Sequence, residues 1–308
     1  MTPSRLLGMA VVGTVLVLTG CTDIPAAPPA SSPSTSSTSS TGRAYGRLVD
    51  IGGGRSMFLT CRGSGTPTIV LFSGTGGAAD EWTTLPAAGP SSSAVPVFTA
   101  LSASTRVCAY DRPGTARESG ATSPTTAVAQ PTTASQGVRD LDALLAAAHE
   151  NGPYLLVGAS WGGLLAQLFA REHRGSTAGL VLVDSASAYL EKTLTPEQWR
   201  AWMTTIATAP SAPQAERPAY EPTLTELADA GPAPSVPAAV LSSDQPWDLG
   251  VTPGASTWPG WLAAQDRLAA ELHAAHIGDT HSGHGIQVEQ PALVTDAIRA
   301  VLADARRR

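Results

Sequence analysis

The sequence predicts an α/β fold, a mostly parallel eight-stranded sheet flanked by helices. Three observations carry that expectation. Short apolar runs alternate with stretches of helical period across residues 44–305, the pattern of a sheet covered on both faces. Thr68–Phe72 is a continuous apolar run, as a strand buried on both faces requires. Of the 308 residues, 43% are hydrophobic, enough to fill the core of one large domain.

The elements follow in order. Tyr45–Ile51 and Met57–Thr60 flank Gly52-Gly53-Gly54 and predict an opening hairpin. Thr68–Phe72 and Arg106–Tyr110 are the next two strands. Ser135–Glu150 carries Val138, Leu141, Leu144 and Leu145 at helical spacing. Tyr154–Val157 is a strand and Trp161–His173 a helix. Gly179–Val183, Ala238–Ser242 and His276–Thr280 complete the eight strands. Pro291–Ala305 is a closing helix with proline in its first turn. Between Ala186 and Val236 the strand signals vanish and proline is frequent. There Thr195-Pro196-Glu197-Gln198 starts a helix, with Thr as N-cap and Pro at the first position. That helix would place Trp199, Trp202, Met203 and Ile206 on one face.

The first residues read differently. Arg5, an apolar run from Leu6 to Leu18 and then Leu18-Thr19-Gly20-Cys21 have the layout of a secretory signal. The apolar run is short for a bilayer span. Leu18-Thr19-Gly20-Cys21 resembles a bacterial lipobox, which implies removal of residues 1–20 and lipid on Cys21. Each buried CH₂ of such a lipid contributes about 0.8 kcal/mol to membrane binding. Residues 21–43 are mostly Ser, Thr, Pro and Ala, a composition that predicts a disordered tether. The chain is therefore expected outside the cytoplasm, anchored to the outer face of the bacterial cell membrane. A net charge of −6 without a basic cluster gives no footprint for nucleic acid. Gly74-Thr75-Gly76-Gly77 lacks the lysine of a phosphate loop, and no His pair has metal-site spacing on a helix, so no cofactor or metal is expected. Oligomeric state leaves no mark in the sequence.

Gly158-Ala159-Ser160-Trp161-Gly162-Gly163 follows a strand and opens a helix. G-x-S-x-G in that setting is a nucleophile elbow, with Ser160 lifted above the sheet. Ser73-Gly74-Thr75-Gly76-Gly77 follows Phe72, and Tyr110-Asp111-Arg112-Pro113-Gly114 follows another strand. Ser282-Gly283-His284 precedes Gln290-Pro291 and the closing helix. On these residues the chain resembles the α/β-hydrolase superfamily over 44–305. It departs from the family's usual pattern at Ser73, where His is common, and at Ala116 and Ala159.

The resemblance implies roles. Ser160 is the nucleophile, and Thr75 and Trp161 supply the oxyanion-hole N–H groups. His284 is the base, with His281 as runner-up. His149 and His173, in or near helices, are expected at the surface, and His273 and His276, by the last strand, are expected to be structural. The acid stays open between Asp184, at the end of one strand, and Asp244, after the next; Asp248 comes late. An insertion over about 187–236 is where the family places a cap. The family's strand order makes the strands of Cys61 and Cys108 neighbours, and an exported chain would hold them as a disulfide. Trp161, Trp199 and Trp202, with Trp258 and Trp261, suggest an apolar pocket. The expected function is a serine hydrolase acting on a small-molecule carboxylic ester through an acyl-enzyme. An amidase or peptidase with the same triad is the nearest alternative, and a non-catalytic ligand-binding lipoprotein the next.

Overall fold

Alternation within the strands explains how one sheet supports two cores. In β3 (Thr68–Phe72), Val70 and Phe72 point to one face while Ile69 and Leu71 point to the other. In β5 (Tyr154–Ala159), Leu156 joins the first core and Leu155 and Val157 the second. The structure, a computed structural model, describes residues 42–86, 91, 93–208, 212–247 and 256–308. The signal segment, Cys21, the tether as far as residue 41, and Asp248 lie outside the described residues.

The sheet has eight strands in the order β1-β2-β4-β3-β5-β6-β7-β8. The remaining strands are β1 (Tyr45–Gly52), β2 (Arg55–Arg62), β4 (Val107–Tyr110), β6 (Thr177–Val183), β7 (Ala238–Leu241) and β8 (Ala275–Ile277). Only β2 runs against its neighbours. The expected last strand, His276–Thr280, is shorter and starts earlier. After Ile277 the chain leaves the sheet, and Thr280 Oγ1 donates to Ser242 O at 2.9 Å instead of extending the ladder. His276 is the middle residue of β8.

The described helices are α1 (Asp80–Thr83), α2 (Val97–Ser102), α3 (Ala134–Ala148), α4 (Trp161–Glu172), α5 (Leu190–Thr193), α6 (Pro196–Thr208), α7 (Tyr220–Asp229), α8 (Trp258–Leu272), α9 (Ile286–Glu289) and α10 (Pro291–Ala305). The start of α6 is a capping box: Gln198 N–H donates to Thr195 Oγ1 and Thr195 N–H to Gln198 Oε1, at 3.2 and 3.0 Å. Trp199 and Trp202 on its inner face are buried. Helix α8 escaped the sequence reading, although Trp261, Leu268 and Leu272 keep a helical stripe and Pro259 sits in its first turn. Helices α5 to α7 fall within the expected cap.

β2 and β4 pair with Cys61 opposite Cys108, and the two cysteines form a disulfide. The bridge joins the antiparallel strand to the parallel body of the sheet. Asp111 and Arg112 follow β4 directly, so it also braces the turn that reaches the site.

Candidate active site

Ser160 sits between β5 and α4 with φ 50° and ψ −122°, a backbone region that side chains rarely occupy. Close packing holds it there. A Cβ on Gly158 would lie 2.6 Å from Gly162 O, and one on Gly162 would meet the backbone oxygens of Phe72 and Ser73. The elbow needs glycine at both places because backbones cross within contact of each other.

His284 lies in the loop between β8 and α9. Its Nε2 is 3.0 Å from Ser160 Oγ and its Nδ1 is 2.7 Å from Asp184 Oδ2. With the Nδ1 proton on the aspartate side, Nε2 is free to accept from the serine hydroxyl. Asp184 is fully buried at the end of β6, in a left-handed conformation at φ 41°. Its Oδ1 accepts from Ser243 N–H, Ser243 Oγ and Trp261 Nε1 at 3.0, 3.1 and 2.9 Å. The His284 ring packs against Trp247, centroids 4.1 Å apart, and meets Trp261 edge-on at 5.4 Å.

Asp244 lies elsewhere in the network. Its Oδ2 accepts from His281 N–H at 3.0 Å and its Oδ1 from Ser282 N–H at 2.9 Å. Partial burial pushes its pKa up, but those two N–H groups win and hold it below the ordinary carboxylate range. His281 is exposed and faces Asp244 and Asp279, away from Ser160's partners. Glu289 Oε2 completes the loop's support, accepting from Ser282 Oγ and Gly283 N–H at 2.8 and 3.0 Å.

The loop after β3 packs on Ser160: a Cβ on Gly74 would lie 3.5 Å from Ser160 Cβ. Arg112 turns this loop's carbonyls outward, donating to Ser73 O at 2.9 Å and Gly74 O at 2.6 Å. It also pairs with Glu216 of the cap at 2.6 Å, and Glu216 Oε2 accepts from Gly76 N–H at 2.7 Å. Thr75 N–H and Trp161 N–H find no acceptor among the described residues, so both remain available to a ligand.

A cavity of about 500 Å³ opens on Ser160 and His284. Trp202, Tyr220, Trp247 and Trp261 line it, with Thr75 from the loop after β3. Of the tryptophans expected there, Trp202 and Trp261 are present. Trp161 turns to the core and contacts Tyr220 at 4.9 Å, while Trp199 packs edge-on against Trp202. Trp258 is also absent from the cavity lining. Trp247, Tyr220, Gln287 and Glu81 contribute without having been singled out in the sequence. No periodicity marks them, because each comes from a different loop or short helix. Burial pushes the Glu81 carboxyl up to about 7, against the opposing pull of Gly74 N–H, Arg112 and Gln287.

The model of the Alpha/beta hydrolase family matches residues 69–297. Among solved structures, a thermophilic esterase from Thermogutta terrifontis is similar, with 19% identity and a TM-score of 0.53 over 86% of this chain and 99% of that one. A putative lipase from Acinetobacter baumannii is 19% identical with a TM-score of 0.56, over 85% and 92% of the two chains. These two likenesses are of fold. An uncharacterized protein of Schizosaccharomyces pombe is 38% identical over 87 residues, which span 28% of this chain and 15% of that protein.

Proposed function

The chain belongs to the alpha/beta hydrolase family, and on that premise we propose that it is a serine hydrolase cleaving a carboxylic ester. One observation carries the reading: Ser160, His284 and Asp184 form a relay of 3.0 and 2.7 Å that opens on an aromatic-lined cavity. His284 Nε2 takes the Ser160 proton as Oγ attacks the ester carbonyl carbon. The carbonyl oxygen gains negative charge and receives Thr75 N–H and Trp161 N–H. Collapse breaks the bond to the alcohol, which leaves with the proton from His284. Water, deprotonated by His284, then cleaves the acyl-enzyme to release the acid and restore Ser160. Asp184 keeps the imidazole in the productive tautomer and stabilises its cation.

A fluorophosphonate probe tests this reading by bonding to Ser160 Oγ with loss of fluoride. Wild type is expected to label and Ser160→Ala to stay unlabelled. An unlabelled wild type, or equal labelling of both, points instead to a non-catalytic binding protein. We also propose export and anchoring through Cys21, supported by the sequence of residues 1–21. Wild type should then enter the detergent phase of a cell extract and Cys21→Ala should not; equal partitioning removes the anchor.

A further inference from the structure

Buried carboxylates in this domain come with a cationic or imidazole partner. Asp111 meets Arg117 at 2.7 Å, Glu150 meets Arg106 at 2.5 Å, Glu216 meets Arg112 at 2.6 Å and Asp184 meets His284 at 2.7 Å. That pattern is expected, since a carboxylate removed from water is costly unless paired. Glu81 breaks it. Among the described residues it forms no ion pair, although it lines the cavity beside Ser160.

The site around Glu81 is built. Its side chain folds back over Gly77, where a Cβ would collide with Oε2. The carboxylate accepts from Gly74 N–H at 3.0 and 3.2 Å and from Gln287 Nε2 at 2.8 Å. Gln287 is more than nine-tenths buried, and its Oε1 has no partner among the described residues. A Cβ placed on Gly74 would stand 3.5 Å from Ser160 Cβ and 3.8 Å from both Glu81 oxygens, so the carboxylate is one residue's width from the nucleophile. The surrounding charges leave it unmatched. Arg112 is engaged by Glu216 and two carbonyls, Glu118 adds negative charge, and Arg217 on the cap side of the cavity reaches no carboxylate among the described residues. His284, across the cavity, is held by Asp184.

We propose that Glu81 is an ammonium subsite, and that the substrate is an ester bearing a positively charged amine that sits on this carboxylate while its carbonyl meets Ser160. The inference rests on the serine-hydrolase reading and deepens it. Two physical consequences favour a cation. An unpaired carboxylate beside the oxyanion position opposes the negative charge that develops there, and a bound ammonium cancels it. Trp202, Tyr220, Trp247 and Trp261 line the same cavity, and aromatic rings attract cations and not anions.

The test uses two phosphonylating probes that differ only at the tip of one tail, trimethylammonium in one and the uncharged tert-butyl isostere in the other. Wild type should label at Ser160 at least tenfold faster with the cationic probe, and Glu81→Gln should lose most of that preference. The ratio of the two rates cancels the protonation of His284, which both probes require equally. In wild type the ratio should therefore fall as pH is lowered through about 7, where Glu81 takes up a proton. That measurement stands even where Glu81→Gln fails to fold. Equal rates in wild type, a ratio that does not change with pH, or a preference kept in folded Glu81→Gln overturns the subsite. Labelling by the neutral probe in those cases leaves the hydrolase reading standing. Failure of both probes to label removes the hydrolase reading, and the subsite with it.

Discussion

Asp184 and Asp244 follow the ends of neighbouring parallel strands, β6 and β7, yet only Asp184 touches the imidazole of His284. Asp184 is fully buried, bends through a left-handed backbone and spends Oδ1 on three donors, leaving Oδ2 for Nδ1. Asp244 is partly exposed and spends both oxygens on backbone N–H groups of the histidine loop. One carboxylate orients the ring, and the other holds the segment that carries it. Ser243 shows how close the two roles are: it precedes Asp244 in the chain, yet its N–H and Oγ donate to Asp184. A carboxylate's position along a strand end therefore does not set its role. The direction in which the backbone turns after the strand does.

The comparison can be broken by experiment. The largest effect is expected for Asp184→Asn. An amide there can turn its NH₂ toward Nδ1 and favour the wrong tautomer, so kcat should fall about 10,000-fold with a folded protein and little change in KM. A loss no larger than that of the Asp244 variant would erase the distinction. Asp244→Asn should change kcat/KM less than tenfold and instead lower stability, by about 1 kcal/mol for its weakened charge-assisted bonds, as denaturant unfolding reads. The sign of its pH dependence follows from a pKa held below the ordinary aspartate value of about 3.9. The stabilising contribution is present above that value and is lost as pH falls through it toward the folded pKa. The gap between wild type and Asp244→Asn should thus begin to narrow below about pH 4. A gap that stays constant from about pH 7 down to the acid unfolding of the protein would mean that the charge of Asp244 does not support the loop.

Much of the fold was legible because burial on both faces leaves a local signature. Thr68–Phe72 and Pro291–Ala305 appear with the bounds their residues suggest. Helix α8 was not legible, because its stripe follows a stretch rich in Pro, Gly and Trp that reads as loop. Within the site, Ser160 carried its own motif, since a tight elbow needs its glycines adjacent in sequence. Glu81 and Gln287 carried none. They are 206 positions apart and meet only because α1 and α9 pack together at the rim of the cavity.

The sequence alone determined the strand-turn-helix that holds Ser160 and the histidine loop around His284, because each depends on local backbone geometry, while the partner of Cys61 followed from the strand order that the family resemblance implies. Tertiary structure alone decided which aspartate meets the imidazole, and that Glu81 lines the cavity of Ser160 with no ion-pair partner among the described residues. Those outcomes depend on directions taken by chains that meet far apart in sequence, and no spacing of residue types encodes a direction. Hydrogen bonds from Trp261 and Ser243, on separate segments after β7, aim Asp184 at His284, and the packing of α1 against α9 sets Glu81 against Gln287 rather than against a cation of the described residues.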